Sequence, residues 1–298
     1  MSWSSGSTLT LNADNQIFIR SPITSSGPGA LSLRAVNSIA QSAAITAPSL
    51  LAISDFGSVI LNNASNAVGI LAGYAGAGSN FIFVNGGPLS VGTASGSFGA
   101  GVNSNNVNLR ALSGNLSIDD TVYGVNPSSG NATLQADNGS VLQAAGAKLN
   151  ANNVTVVAST QIQLSAGVNS ANSFVANQTS SAGGAIAFVN SNATPWTLGG
   201  VSQAAVSASS VSITSANQNI NGAGLVQSGP SSSLALSANG GALLQAGGAL
   251  QSDTITLQAG ATPTGPIGRF RSTPNSSRLH SIQNARSRTP SAKSIRHS

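Results

Sequence analysis

Cysteine and glutamate are both missing from this 298-residue chain. Charge of either sign is scarce, 6% of residues against about 25% in an ordinary soluble domain. Without cysteine there is no disulfide and no thiolate metal site. Six aspartates are the only acidic side chains, which leaves little from which to assemble a carboxylate-pair active site. Long apolar runs are also absent. The longest stretch of apolar residues and glycine, Ala67 to Gly78, is twelve residues, whereas a bilayer-spanning helix needs about twenty. No membrane span is therefore expected. The opening Met-Ser-Trp-Ser-Ser-Gly has neither the charged region nor the apolar stretch of a secretory signal.

What is present is glycine, 34 residues of it, with Ser, Asn, Gln and Thr supplying the polar surface. The net charge of +5 is unevenly spread. Through Gly260 the basic residues are Arg20, Arg34, Arg110 and Lys148, set against all six aspartates. From Ala261 onward there are seven basic residues and no acidic one.

Internal repeats determine the expected fold. An alternation of the form L-x-L-x-A recurs at Leu9-Leu11-Ala13, Leu31-Leu33-Ala35, Val107-Leu109-Ala111, Val154-Val156-Ala158, Leu234-Leu236-Ala238 and Ile255-Leu257-Ala259. Period-two alternation describes a strand with one buried face. Eight or nine residues later comes a second short apolar site, as at Ile17-Ile19 or Leu116-Ile118, and then a third, as at Ile23 or Leu149. The first site returns after 20 to 25 residues. Three short strands per turn, separated by Gly, Asn, Asp and Ser that suit tight corners, predict an all-β right-handed parallel β-helix. The expected solenoid is three-sided, spans residues 1–260 and has roughly twelve coils at about 4.8 Å each. Over this lies a longer repeat near 102 residues, read as five coils: Ser38–Ser54 is echoed at Ser140–Ser159 and Gly241–Gly260, and Phe83-Val84-Asn85 at Phe188-Val189-Asn190. Residues 261–298 hold four prolines and eight serines without alternation; they are expected to be a disordered basic tail.

The opening SWSSGSTLTLNADNQIFIRSPI and the following GALSLRAVNSIAQSAAI resemble the filamentous haemagglutinin family, over about residues 1 to 260. The resemblance implies a β-helical adhesin shaft, secreted or at the cell surface of a Gram-negative bacterium and exported by the two-partner route. It also implies host or bacterial surface molecules as partners. The secretion domain of that family, with its Asn-Pro motifs, has no match here, so the chain reads as an internal fragment.

Candidate sites are few. Parallel β-helices host polysaccharide lyases and hydrolases, which use clustered carboxylates, calcium or a basic side chain. The closest carboxylates, Asp119 and Asp120, are adjacent and point to opposite faces of a strand unless the chain turns there; a polar corner is the reading adopted. Asp14 and Asp137, each in A-D-N, are read as corner residues bonding nearby amides. Both histidines, His280 and His297, fall in the tail. The glycine run Gly73–Gly78 lacks the Lys-Ser/Thr of a phosphate loop and is read as a corner. Asn63 and Asn131 begin Asn-x-Ser/Thr triplets expected by chance in such a composition. Phe81, Phe83, Phe188 and Trp196 are assigned to core stacking rather than to an exposed carbohydrate or protein contact. The tail residues Arg269, Arg271, Arg278, Arg286, Arg288, Lys293 and Arg296 are expected to support at most weak nucleic-acid binding.

The sequence therefore points to a structural shaft, with no catalytic, cofactor or metal site and no cofactor. End-to-end self-association through open coil edges is expected. A β-helical lyase or hydrolase and a carbohydrate-binding solenoid are the alternatives. An ice-binding array is disfavoured, because Thr8-Leu-Thr10 and Thr254-Ile-Thr256 occur without a ladder between them.

Overall fold

The computed structural model describes residues 1–94, 101–124, 130–205 and 209–260, and the backbone of 278–283. The described residues form strands and turns without a helix, and every strand pairing is parallel. The result is a β-solenoid of about eleven turns, about 53 Å long at about 4.8 Å per turn.

Three faces run along it. Face A includes Ile23–Ser25, Leu89–Val91, Leu116–Ile118, Val141–Gln143, Ile186–Asn190, Ser210–Ser215 and Ser233–Ala238. Face B includes Leu9–Ala13, Leu31–Ala35, Val102–Ser104 and Val122–Gly124. Face C includes Gln16–Ile19, Ser38–Gln41, Asn80–Asn85, Asn106–Ala111 and Asn131–Ala136. Two longer strands, Ile45–Ser54 and Ala67–Ala75, pass from face A to face B. Alternation sends every second side chain inward, and register stacks like on like: Leu9, Leu31 and Leu50 on face B, then Val107, Ala132 and Val154 on face C. Each fully buried Leu, Ile or Val contributes about 1.5–3 kcal/mol. One continuous core runs from Ile19 to Leu257.

The L-x-L-x-A strands do not form a single ladder, as their recurrence suggests. Those at 9 and 31 lie on face B, those at 107 and 154 on face C, and those at 234 and 255 on face A. The cause is the longer repeat. It comprises thirteen strands, four and a third turns rather than five, so Ser38–Gln41 on face C has its counterpart Val141–Gln143 on face A. Long strands divide in the same way in each repeat. The end of Ala67–Ala75 is continued by two separate strands, Leu89–Val91 and Val102–Ser104. One repeat on, Trp196–Gln203 divides into Ile220–Gly222 and Val226–Gln227, after a register shift at Phe174/Ala176.

Beyond Gly260 the structure departs from a tail without strands. Arg278–Gln283 pairs in parallel with Thr254–Ala259, Leu279 opposite Ile255, and adds a strand to face A. The six-residue segment Arg-Leu-His-Ser-Ile-Gln has spaced apolar residues and no proline. The remaining tail residues lie outside the described residues. Among the described residues no helix is long and apolar enough to cross a membrane.

Candidate functional site

Asp119 and Asp120 sit in the corner between Leu116–Ile118 and Val122–Gly124, where the chain turns. Both are committed as acceptors. Ser90 Oγ donates to Asp119, while the Thr121 amide at 2.7 Å and Thr93 Oγ1 at 3.5 Å donate to Asp120. Beside them is an open depression lined by Gly69, Pro88, Ser90, Gly114, Asn115 and Ser117. The small side chains of face A leave this hollow.

Asp14 follows the last residue of Leu9–Ala13 and is exposed, as a corner residue should be. Asp137 differs from its expected amide-capping role. It forms a bidentate ion pair with Arg110, Nη2–Oδ2 2.6 Å and Nε–Oδ1 3.1 Å, and accepts from Gln135 Nε2 at 2.8 Å. Arg110 stands one turn below, outward on the neighbouring strand. The guanidinium bonded to it holds the Asp137 carboxyl below the usual range and raises the arginine in turn. Arg34 and Asp55 make a looser pair at 3.3 Å. Asp253 accepts from the Ser231 amide. Among the described residues no three of His, Cys, Asp or Glu converge to hold a metal.

Phe81, Phe83, Phe188 and Trp196 are all fully buried, as core stacking requires. Phe188 stacks on Phe174 at 3.9 Å with planes 3° apart and meets Trp196 edge-on at 5.9 Å. The glycine run is only partly a corner. Gly73 belongs to Ala67–Ala75. Its missing side chain leaves room for the Phe81 ring, since a Cβ there would lie 2.3 Å from Phe81 Cε2. The turn itself is Gly76–Gly78, with Gly78 at φ 79°. His280 lies in the added strand. His297 and the basic residues of 261–298 other than Arg278 lie outside the described residues.

The roles of asparagine were not legible as chemistry. Asn63 binds Ser42 O and caps Ser65 N. Asn131 belongs to an outward ladder on face C, in which Asn106 donates to Asn80 at 2.9 Å, Asn131 to Asn106 at 2.8 Å and Asn153 to Asn131 at 2.7 Å. A second ladder joins Asn192, Asn172 and Asn152. Inside the coil, Gln41 pairs with Asn66 at 2.8 Å and Gln143 with Asn169 at 2.6 Å. The available signal was the recurrence of Asn at the coil period, at 80, 106, 131 and 153.

Geometry thus places the chain among the parallel β-solenoids, proteins whose core is a stack of side-chain ladders. Compared with known proteins, the chain matches no family model, no curated protein and no solved structure.

Proposed function

We propose that this chain is a structural, adhesin-type shaft of a secreted or surface-exposed bacterial exoprotein, and that it performs no catalysis. The observation that carries this reading is the use to which the few carboxylates are put. Asp55 and Asp137 bind arginines on neighbouring turns, while Asp119, Asp120 and Asp253 receive hydroxyl or amide donors at corners. General acid–base work needs a carboxylate within reach of a substrate proton and poised to exchange it; these five are tied into the wall. The resemblance of Ser2–Ile23 to filamentous haemagglutinin repeats supports the surface location and the two-partner export route. Partners are then host or bacterial surface molecules.

The test is an antibody raised against residues 1–260, applied to intact cells of the source organism and to their culture fluid. Labelling of intact cells or of the fluid is expected. Labelling that appears only after lysis overturns the reading.

A further inference from the structure

Four asparagines are followed by glycine: Asn85, Asn138, Asn221 and Asn239. Glycine has no side chain to shield its backbone nitrogen, so that nitrogen can reach the side-chain carbonyl carbon of the asparagine before it. The solenoid puts the four pairs in different surroundings. Asn85 is 1% exposed, and its Nδ2 donates to Val68 O, Gly87 O and Pro88 O. The nitrogen that would attack it, Gly86 N, is held by Asn66 O at 2.7 Å. Asn221 and Gly222 lie inside a strand, opposite Thr197 and Leu198 on one side and Leu244 and Gln245 on the other. Asn138 is exposed, but its Nδ2 is tied to Leu112 O at 2.9 Å. Gly139 is buried, with Gly114 O 2.1 Å from where a Cβ would stand.

Asn239 is held differently. It and Gly240 are both exposed, in the turn that follows Ser233–Ala238. Among the described residues no carbonyl accepts from Gly240 N. The Asn239 side-chain oxygen accepts from Ser237 Oγ at 2.6 Å. That hydroxyl is aimed at the oxygen on which negative charge develops when the carbonyl carbon is attacked, where a placed donor lowers the barrier.

We propose that Asn239–Gly240 is a site of spontaneous deamidation, with Ser237 as the donor that eases the attack. The Gly240 nitrogen, its proton lost to solvent hydroxide, bonds to Asn239 Cγ. The carboxamide C–N bond breaks, and its nitrogen leaves as ammonia with a proton returned from water. The ring so formed is a succinimide. Water opens it at either carbonyl, giving aspartate or isoaspartate. One water is consumed and one ammonia released, and nothing is oxidised or reduced. Either product adds a negative charge to the corner. The isoaspartyl form also lengthens the main chain by one carbon where the turns stack closely. A Cβ on Gly240 would lie 2.7 Å from Asn217 O, and Gly260 N donates to Gly241 O at 3.0 Å from the following turn. The altered corner loses this fit, so the modification marks and loosens one corner of the rod as the protein ages.

The full chain is incubated in mildly alkaline buffer made with oxygen-18 water and then digested in ordinary water, so that only residues converted in the intact protein carry the label. Peptide mass mapping should place the label first at Asn239, later at Asn138, and last at Asn85 and Asn221. Isoaspartyl methyltransferase should modify the Asn239 peptide first as well. In urea, where the surroundings are lost, the four rates should draw together. Ser237→Ala should slow conversion at Asn239 severalfold and leave Asn138 unchanged. A folding defect cannot mimic that result, since a loosened corner frees the backbone and speeds the reaction. The proposal is overturned if any of the other three converts before Asn239, if the relative rates in urea equal those of the folded chain, or if Ser237→Ala converts as fast as the parent.

Discussion

Asn66 and Asn169 make the same contacts one long repeat apart. The side-chain oxygen of Asn66 accepts from Ile45 N and Gln41 Nε2, and its amide donates to Leu61 O, Val84 O and Gln41 Oε1. The oxygen of Asn169 accepts from Leu149 N and Gln143 Nε2, and its amide donates to Leu164 O, Val189 O and Gln143 Oε1. Both are essentially inaccessible to solvent, at 1% and 0%. Each closes a corner where the backbone leaves the ladder and its polar groups need a partner. Asn169→Ala strips several of these at once. The expected loss is about 3 kcal/mol, read as a lower urea midpoint with unchanged slope. Asn169→Asp should cost at least as much at neutral pH, because a carboxylate cannot donate to Leu164 O and Val189 O. A loss below about 1 kcal/mol for both would show that the corner relaxes around water.

Gly73 and Phe81 share one space in the core. A Cβ at residue 73 would lie 2.3 Å from Phe81 Cε2 and 2.5 Å from Ala52 O, so Gly73→Ala forces ring and backbone apart. Overpacking of this kind costs about 1–3 kcal/mol. Phe81→Leu frees the ring contact but not the carbonyl contact, so the double variant should recover part of the loss. A double-mutant cycle measures this; strict additivity would mean that the ring is not what the new methyl meets.

The Arg110–Asp137 pair sets an acid dependence. Asp137 has its folded pKa lowered, chiefly by the hydrogen bonds from Arg110. The stabilisation is therefore complete above the unfolded carboxylate value, about 3.9, and disappears as pH falls through the lower folded one. Both partners are part-exposed, at 43% and 22%, which keeps the contribution to about 1 kcal/mol or less. Asp137→Asn should lower the melting temperature slightly at pH 7, and the gap to the parent should be smaller near pH 2. An equal gap at both values would place the effect elsewhere than in the charge.

Much of this fold was legible in the sequence, and the illegible part has a common cause. Alternation such as Leu31-Leu33-Ala35 identifies a half-buried strand wherever it occurs, and its return identifies a coil, because burial depends on side-chain period alone. Period does not reveal which face a strand joins. Val107 and Leu9 begin the same motif, yet lie on faces C and B because the long repeat of thirteen strands is not a whole number of three-strand turns. Asn66 and Asn80 look alike in sequence, though one is a buried corner clamp and the other an outward ladder rung. Tyr74 and Tyr123 are 49 residues apart, and only the pairing of each with Asn103 brings them together.

The last prediction concerns the added strand. Thr254–Ala259 pairs with Ser233–Ala238 on one side and with Arg278–Gln283 on the other, so its backbone groups are those of an interior strand. Removing residues 261–298 turns it into an edge, and edge strands open locally at low free energy. Amide exchange within Thr254–Ala259 should therefore quicken in the truncated chain, at those amides that face the deleted strand. Amides of Ile186–Asn190, three turns away and paired on both sides, should be unaffected. The melting temperature is expected to fall by a few degrees, about what 1 kcal/mol produces in a domain of this size. Unchanged exchange at Thr254–Ala259 would mean that the strand at 278–283 does not hold its place in solution, and that the solenoid ends at residue 260.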